Sequence, residues 1–361
     1  MNTYKNIYVT GSIAYDEIMD FPGEFKDYFH PEKLHQINIS FVVDRLEKQI
    51  GGTATNIAYN IAQIFNFQFS ILNQYQNSNF QNKKSEVRIL GAVGRDGKVF
   101  LDFFKKNKID ISGVIVDKRL YTATGKVMTD KNDNQIWGFY YGACESAKKI
   151  SLKEYAGKDS LLVISATHPD AFLHFQEEAI KYKIDYMYDP GMALTWIKDK
   201  DLKKGVINTK YLVGNDYEIA MITKRLKKTV NELTSCGLKL ITTLGEEGVK
   251  YEYKSKIINP KSQINPKFEI IKVPAYKVKK VVDPTGAGDA WRGGFIAGIV
   301  SGKSVIDSLK LGNVMASFAI EEYGTVNHKP TIKEINKRMK KLDTVPLSGR
   351  HLRFLNLRRF K

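Results

Sequence analysis

From residue 6 to residue 243 the chain alternates short, largely apolar runs with longer stretches of helical spacing. Residues 6–10, 88–93, 161–166, 185–188, 211–214 and 238–243 lack the in-and-out alternation of a half-solvated strand. Such runs predict strands covered on both faces. In residues 53–65, Ala54, Ile57, Ala58, Ile61, Ile64 and Phe65 fall on one helical stripe, and residues 99–106, 170–183 and 304–323 are patterned similarly. The alternation predicts an α/β fold, a mostly parallel sheet with helices on both faces. At 361 residues and 43% hydrophobic composition, the chain can bury a core of that size.

Two regions break the rhythm. Residues 13–20 with 35–43, and 121–130 with 135–141, predict strand pairs without intervening helices, the second turning at residues 131–134. They are expected to form a small separate sheet, a lid or a subunit contact. Residues 73–86, rich in Asn and Gln without periodicity, predict a surface loop inserted between core strands. No internal repeat is present.

Three segments carry chemistry. In residues 283–294 (DPTGAGDAWRGG), Gly286, Ala287 and Gly288 precede a helical pattern, so successive backbone N–H groups can converge on an anion. Asp289 then sits beside that anion, either as a base taking a proton from an attacking hydroxyl or as a helix cap. Residues 51–56 (GGTATN) open the first strong helix. Its glycines permit close approach of a ligand or a tight turn, and Asn56 offers both a donor and an acceptor. In residues 11–16 (GSIAYD), Asp16 follows the first strand, where open α/β sheets bind ligands. No Walker A sequence exists, since residues 302–304 (GKS) lack the earlier glycine, and the protein-kinase set is absent.

Together these segments resemble the PfkB, or ribokinase-like, family of sugar and nucleoside kinases. The resemblance covers roughly residues 5–342. Asp283, Thr285, Gly286, Ala287, Gly288, Asp289 and Gly294 match its later signature, and Gly51, Gly52, Asn56 and Ala58 its earlier one. Residues 215–218 (NDYE) resemble its phosphate and magnesium motif, and residues 243–248 (TLGEEG) its nucleotide loop. Residues 11–25 and 34–41 resemble the bacterial-type adenosine kinase branch.

The resemblance implies a ribokinase-like three-layer core with a mostly parallel central sheet and a small β-sheet lid. It places a kinase domain at residues 1–342 with a lid at about 13–43 and 119–142; the basic tail at 343–361 departs from the family pattern. It further implies transfer of the γ-phosphoryl group of ATP to the 5′-hydroxyl of adenosine, giving AMP, with another nucleoside or a free pentose as the alternative. In that scheme Asp289 is the base, and Gly286, Ala287 and Gly288 form the anion hole. Ser12, Asp16, Ser40, Gly52 and Asn56 hold the ribose; alternation along residues 136–141 puts Trp137, Phe139 and Tyr141 on one face, with Phe139 either stacking on the base or packing within the lid, and Gly125 stands where a second stacking ring is expected. Asn215, Thr243, Gly245, Gly248 and Asn313 attend the nucleotide, Glu218 holds Mg2+ through water, and Asp283 and Thr285 shape a K+ site.

The formal net charge is +17, and residues 329–361 hold eleven Lys and Arg against Glu334 and Asp343, leaving +9 there and +8 elsewhere. Nucleic acid is therefore a candidate partner only through the tail, which is otherwise a frayed terminus. The two cysteines, Cys144 and Cys236, suggest neither a disulfide framework nor a zinc site. No apolar run reaches the roughly 18 residues of a bilayer crossing, and the start lacks a secretory pattern, so a cytoplasmic protein is expected. The exposed edges expected of the lid strands suggest a homodimer.

Overall fold

In the computed structural model, which describes residues 4–29, 38–72, 86–132, 134–157, 159–258 and 264–344, each predicted apolar run is a strand. The chain runs β1 (Asn6–Thr10), β2 (Ala14–Asp20), β3 (Arg45–Gly51), α1 (Thr53–Leu72), β4 (Glu86–Gly94), α2 (Lys98–Lys106) and β5 (Asp110–Asp117). It continues with β6 (Ala123–Thr129), β7 (Gln135–Tyr140), β8 (Ser160–Ser165), α3 (Pro169–Lys181), β9 (Asp185–Asp189), α4 (Asp199–Asn208), β10 (Tyr211–Asn215), α5 (Asp216–Leu226) and α6 (Val230–Thr234). The last elements are β11 (Lys239–Thr243), β12 (Val249–Ile258), β13 (Ile264–Val273), α7 (Ala287–Val300), α8 (Val305–Ala319) and α9 (Ile332–Asp343).

The main sheet is ordered β13-β12-β11-β10-β9-β8-β1-β4-β5. From β11 to β5 every neighbouring pair is parallel, whereas β12 and β13 add an antiparallel hairpin at one edge. Neighbouring residues of one strand face opposite layers. Ile7, Val9, Leu161, Val163, Val213 and Ile241 meet α1, α2, α7, α8 and α9 on one side. Tyr8, Leu162, Ile164, Tyr186, Leu212 and Leu240 meet α3, α4, α5 and α6 on the other. Because both faces are covered, the strands carry no polar alternation. From β1 the chain builds outward to β4 and β5, then returns to β8 on the opposite side. The topological switch point lies between β1 and β8, and at the carboxyl ends beside such a point open sheets take ligands.

A second sheet, ordered β3-β2-β6-β7, joins β2 and β6 in parallel within two antiparallel pairs. The pairing of β6 with β7 is as expected, but the partner of β2 is Arg45–Gly51 rather than residues 35–43. Of that expected strand, residues 35–37 lie outside the described residues and 38–43 are irregular. Phe41 packs instead against Phe21, Phe25 and Tyr28, with ring centroids 4.7–5.5 Å apart. The true strand escaped notice because, as a sheet edge, it carries exposed Arg45 and Lys48 and little apolar pattern.

The loop expected at residues 73–86 lies outside the described residues except for Glu86, which begins β4, and so does the tail from residue 345. The core reaches slightly past the expected boundary of 342. Ile335 and Leu342 of α9 are buried, and Asp343 pairs with Lys310. Among the described residues no helix is long and apolar enough to cross a membrane.

Candidate active site

The carboxyl ends of the parallel strands gather the functional side chains. At the switch point, Ser12 N donates to Ala166 O at 3.0 Å, Thr53 N donates to Ser12 Oγ at 3.1 Å, and Thr53 Oγ1 donates to Ala166 O at 3.0 Å. Ser12 therefore ties the end of β1 to the start of α1. Gly52 turns the chain into that helix at φ 90°, and a Cβ there would lie 2.5 Å from Ser12 O.

α7 brings Asp289 to the same edge. Gly293 and Gly294 let it pack tightly, since added Cβ atoms would fall 2.4 Å from Asn60 Cβ and 2.7 Å from Leu311 O. Gly286, at φ 77°, caps the helix. Ala287 N donates to Pro284 O at 3.2 Å and closes the turn, so it is not the free donor expected of it. The first-turn N–H groups of Gly288 and Asp289 have no intrahelical acceptor, and with the helix dipole they make a helix start suited to an anion.

Asp289 is half-buried, and its Oδ2 accepts from Asn56 Nδ2 at 2.8 Å. Burial raises its pKa; Arg292 and the Asn56 hydrogen bond pull it down, and Glu218 pushes it up. A raised carboxyl is better matched to accepting a proton from an alcohol.

Arg292 and Asp189, to which sequence reasoning assigned no role, back this site. Arg292 is buried and paired with Asp189 through Nη2–Oδ1 and Nε–Oδ2, both 2.6 Å. A Cβ on Gly288 would lie 2.7 Å from Arg292 Nη1, so the glycine admits the guanidinium beneath the anion site. The sequence signal for Asp189 was an acid at the carboxyl end of a parallel strand, the same signal that singled out Asp16.

Asp16 lies in the second sheet, in a row that reads Gln49, Asp16, Gly125, Phe139 across β3, β2, β6 and β7. Gly51 and Gly125 make room for its carboxylate. A Cβ on Gly51 would fall 1.9 Å from Asp16 Oδ2, and one on Gly125 3.3 Å from Oδ1. Burial, then Asp289, then Asp283 raise the Asp16 carboxyl to about 6. Among the described residues no cation counters it, and the coupling to Asp289 shows that this face of the second sheet looks onto the start of α7. Ile18, Val127 and Trp137 extend the same face beside half-buried Phe139. Ser40 is exposed in residues 38–43, and among the described residues no hydrogen bond ties it to this cluster.

Asn215 and Thr243 end the adjacent strands β10 and β11 in register. Asn215 caps α5 reciprocally with Glu218: Glu218 N donates to Asn215 Oδ1 and Asn215 N to Glu218 Oε2, both 2.8 Å. This arrangement leaves Asn215 Nδ2 and Glu218 Oε1 outside the box. Burial and Asp189 raise the Glu218 carboxyl. Gly245 and Gly248, at φ 55° and 99°, shape the following turn.

Asn313 departs from expectation. It is buried, accepts from Trp291 Nε1 at 2.8 Å, and donates to Val273 O and Pro274 O at 3.1 and 2.7 Å. Both amide hydrogens are spent on the scaffold, which corrects its assignment as a nucleotide ligand.

Three carboxylates, of Asp189, Glu218 and Asp289, face one guanidinium, and each is raised first by burial, with a further push from a neighbouring carboxylate. That excess negative charge fits a magnesium ion arriving with a nucleotide and held through water. Of the residues expected to shape a potassium site, Asp283 spends an acceptor position of each oxygen on the backbone. Asp283 accepts from Thr285 N and Gly324 N at 2.9 and 3.0 Å, so it holds the turn, and Thr285 is exposed. Among the described residues no cluster of three or more His, Cys, Asp or Glu forms a direct metal cage.

The sequence model of the pfkB family of carbohydrate kinases matches residues 14–332. A nucleoside kinase of Methanocaldococcus jannaschii is 27% identical over 318 residues, covering 87% of this chain and 94% of the relative. One of Methanothermobacter thermautotrophicus is 27% identical over 342 residues, covering 94% and 96%. Among solved structures, the Burkholderia thailandensis nucleoside kinase in complex with inosine superposes with a TM-score of 0.74 at 27% identity, covering 93% of this chain and 97% of that one. The large, mostly parallel sheet with a smaller sheet beside it is the ribokinase-like fold these proteins share.

Proposed function

The chain belongs to the pfkB family of carbohydrate kinases, and from that premise we propose that it transfers the γ-phosphoryl group of ATP to the 5′-hydroxyl of a purine nucleoside. The observation that carries this reading is the lid row. Asp16, a carboxylate without a counter-charge, stands one strand from Gly125 and two from the ring of Phe139. A carboxylate suits a ribose diol and an aromatic face suits a base, whereas a free pentose has no use for the second.

Asp289 takes the hydroxyl proton as the O5′–P bond forms and the bond from the γ-phosphorus to its bridging oxygen breaks. ADP leaves, and the N–H groups of Gly288 and Asp289, backed by Arg292, stabilise charge on the transferring group. Glu218 and Asn215 orient the nucleotide with its hydrated magnesium, which when bound neutralises phosphate charge. Closure of the lid excludes water and limits ATP hydrolysis. The outer lid row of Leu46, Met19, Met128 and Ile136 exposes Leu46 and Ile136 and supports the expected homodimer.

The resemblance of residues 11–25 and 34–41 nominates adenosine as the acceptor, and likeness to an enzyme solved with inosine nominates inosine. A coupled ATP-consumption assay with adenosine, inosine, guanosine and ribose tests the reading. Turnover with a purine nucleoside well above that with ribose is expected; ribose as the best acceptor overturns the nucleoside assignment, and no turnover overturns the kinase.

The ring of Phe139 has its own test. Phe139→Ala is expected to raise KM for the nucleoside about tenfold, from the roughly 1 to 3 kcal/mol of one base–aromatic stack, with KM for ATP unchanged. An unchanged nucleoside KM removes Phe139 from the base site.

A further inference from the structure

Asn56 is buried, and its carboxamide is held from both ends. Its Nδ2 donates to Asp289 Oδ2 at 2.8 Å, and its Oδ1 accepts from Thr325 Oγ1 at 2.8 Å. Thr325, also buried, comes from the segment joining α8 to α9, far away in sequence. An amide turned by half a revolution would set Asn56 Oδ1 against Asp289 Oδ2, two oxygens facing each other at hydrogen-bond distance. Among the described residues the Thr325 hydroxyl has only Ile50 O, at 3.3 Å, as a second acceptor, so its proton selects the observed orientation.

The same segment grips the α1 backbone at this point. Asn60 Nδ2 donates to Asn56 O at 2.9 Å, so Asn60 Oδ1 faces His328 Nε2, which donates to it at 2.7 Å. Burial holds His328 down at about 4, so it is neutral at ordinary pH, and Tyr59 closes the clamp by donating to His328 O at 2.6 Å. Thr325 also fills the space under Gly286, where a Cβ would lie 2.9 Å from Thr325 Cβ. The charged groups around Asp289 are Arg292 on its own helix, Glu218 on α5, Asp189 at the end of β9 and Asp16 on the lid. Asn56 is the neutral donor among them.

We propose that Thr325 is a positioning residue for phosphoryl transfer, orienting the Asn56 carboxamide so that it donates to the base Asp289. The inference rests on the reading of Asp289 as the base. Thr325→Val keeps the shape and removes the hydroxyl, and is expected to lower kcat about tenfold, with KM for ATP and nucleoside within about twofold. Thr325→Ser restores kcat to within about twofold of wild type.

In an Asn56→Ala background, Thr325→Val has no further effect on kcat, because the group through which it acts is gone. Normal kcat in Thr325→Val, an equal loss in Thr325→Ser, or an additive loss in the double variant overturns the inference. Should the Val variant not fold, Thr325→Ala removes the same hydroxyl and is read the same way. Retained turnover in Asp289→Asn sinks the base itself; a dead Asp289→Asn beside an unaffected Thr325→Val sinks only the role of Thr325.

Discussion

Asp289→Asn is expected to lower turnover by about 10³- to 10⁴-fold while nucleoside and ATP still bind. The amide has nearly the shape of the carboxylate and can still meet Asn56, so the fold around the start of α7 has little reason to change. What disappears is the group proposed to take the hydroxyl proton. Removing one carboxylate from the crowd of Asp189, Glu218 and Asp289 also relieves the repulsion felt by an incoming polyphosphate. Nucleotide affinity should therefore hold or improve as kcat collapses. Single-turnover kinetics with equilibrium binding of both ligands separates the two quantities, and turnover within tenfold of wild type would remove Asp289 from the reaction.

Asp16→Asn should separate stability from function. The Asp16 carboxyl is raised to about 6, by burial first and then by Asp289 and Asp283, against roughly 3.9 in an unfolded chain. Between those values the folded state binds more protons than the unfolded one, so this group costs stability as pH rises through the window, and the cost is complete above about 6. Replacing it by Asn should stabilise the free protein at pH 7 to 8 by on the order of 2 kcal/mol, with no gain below pH 4. The same substitution removes the charged acceptor proposed for the ribose diol and should weaken nucleoside binding by about 100-fold or more. For the wild type, nucleoside affinity should fall as pH drops below about 6 and Asp16 is protonated. Urea unfolding across pH beside nucleoside titrations measures both effects. A variant that binds nucleoside normally would show that Asp16 does not hold the sugar.

Much of this organisation was legible in the residues. A parallel strand buried on both faces is largely apolar, so β1, β4, β8, β9, β10 and β11 stood out. β5 did not, because Asp110, Ser112, Gly113 and Asp117 interrupt it near the sheet edge. β3 was missed for a related reason, since an edge strand facing solvent needs little apolar surface. The glycines around Asp289 and before Asn56 were conspicuous because only they permit the close approaches found there. Asn313 misled, because an amide on a helix near a nucleotide site has the same residue type whether it serves a ligand or, as here, Trp291 and the backbone.

The linear pattern of side chains was enough to establish an α/β architecture with a mostly parallel sheet covered on both faces, and to single out the glycine-rich start of α7 with Asp289. Burial on two faces and the demand for small residues at tight turns leave marks in local composition. The pairing of Arg292 with Asp189, the capture of Asp16 between Gly51 and Gly125, and the Thr325–Asn56–Asp289 chain could emerge only on folding. Each joins residues far apart in the chain, and hydrogen bonds and charge coupling depend on distances that no local pattern encodes.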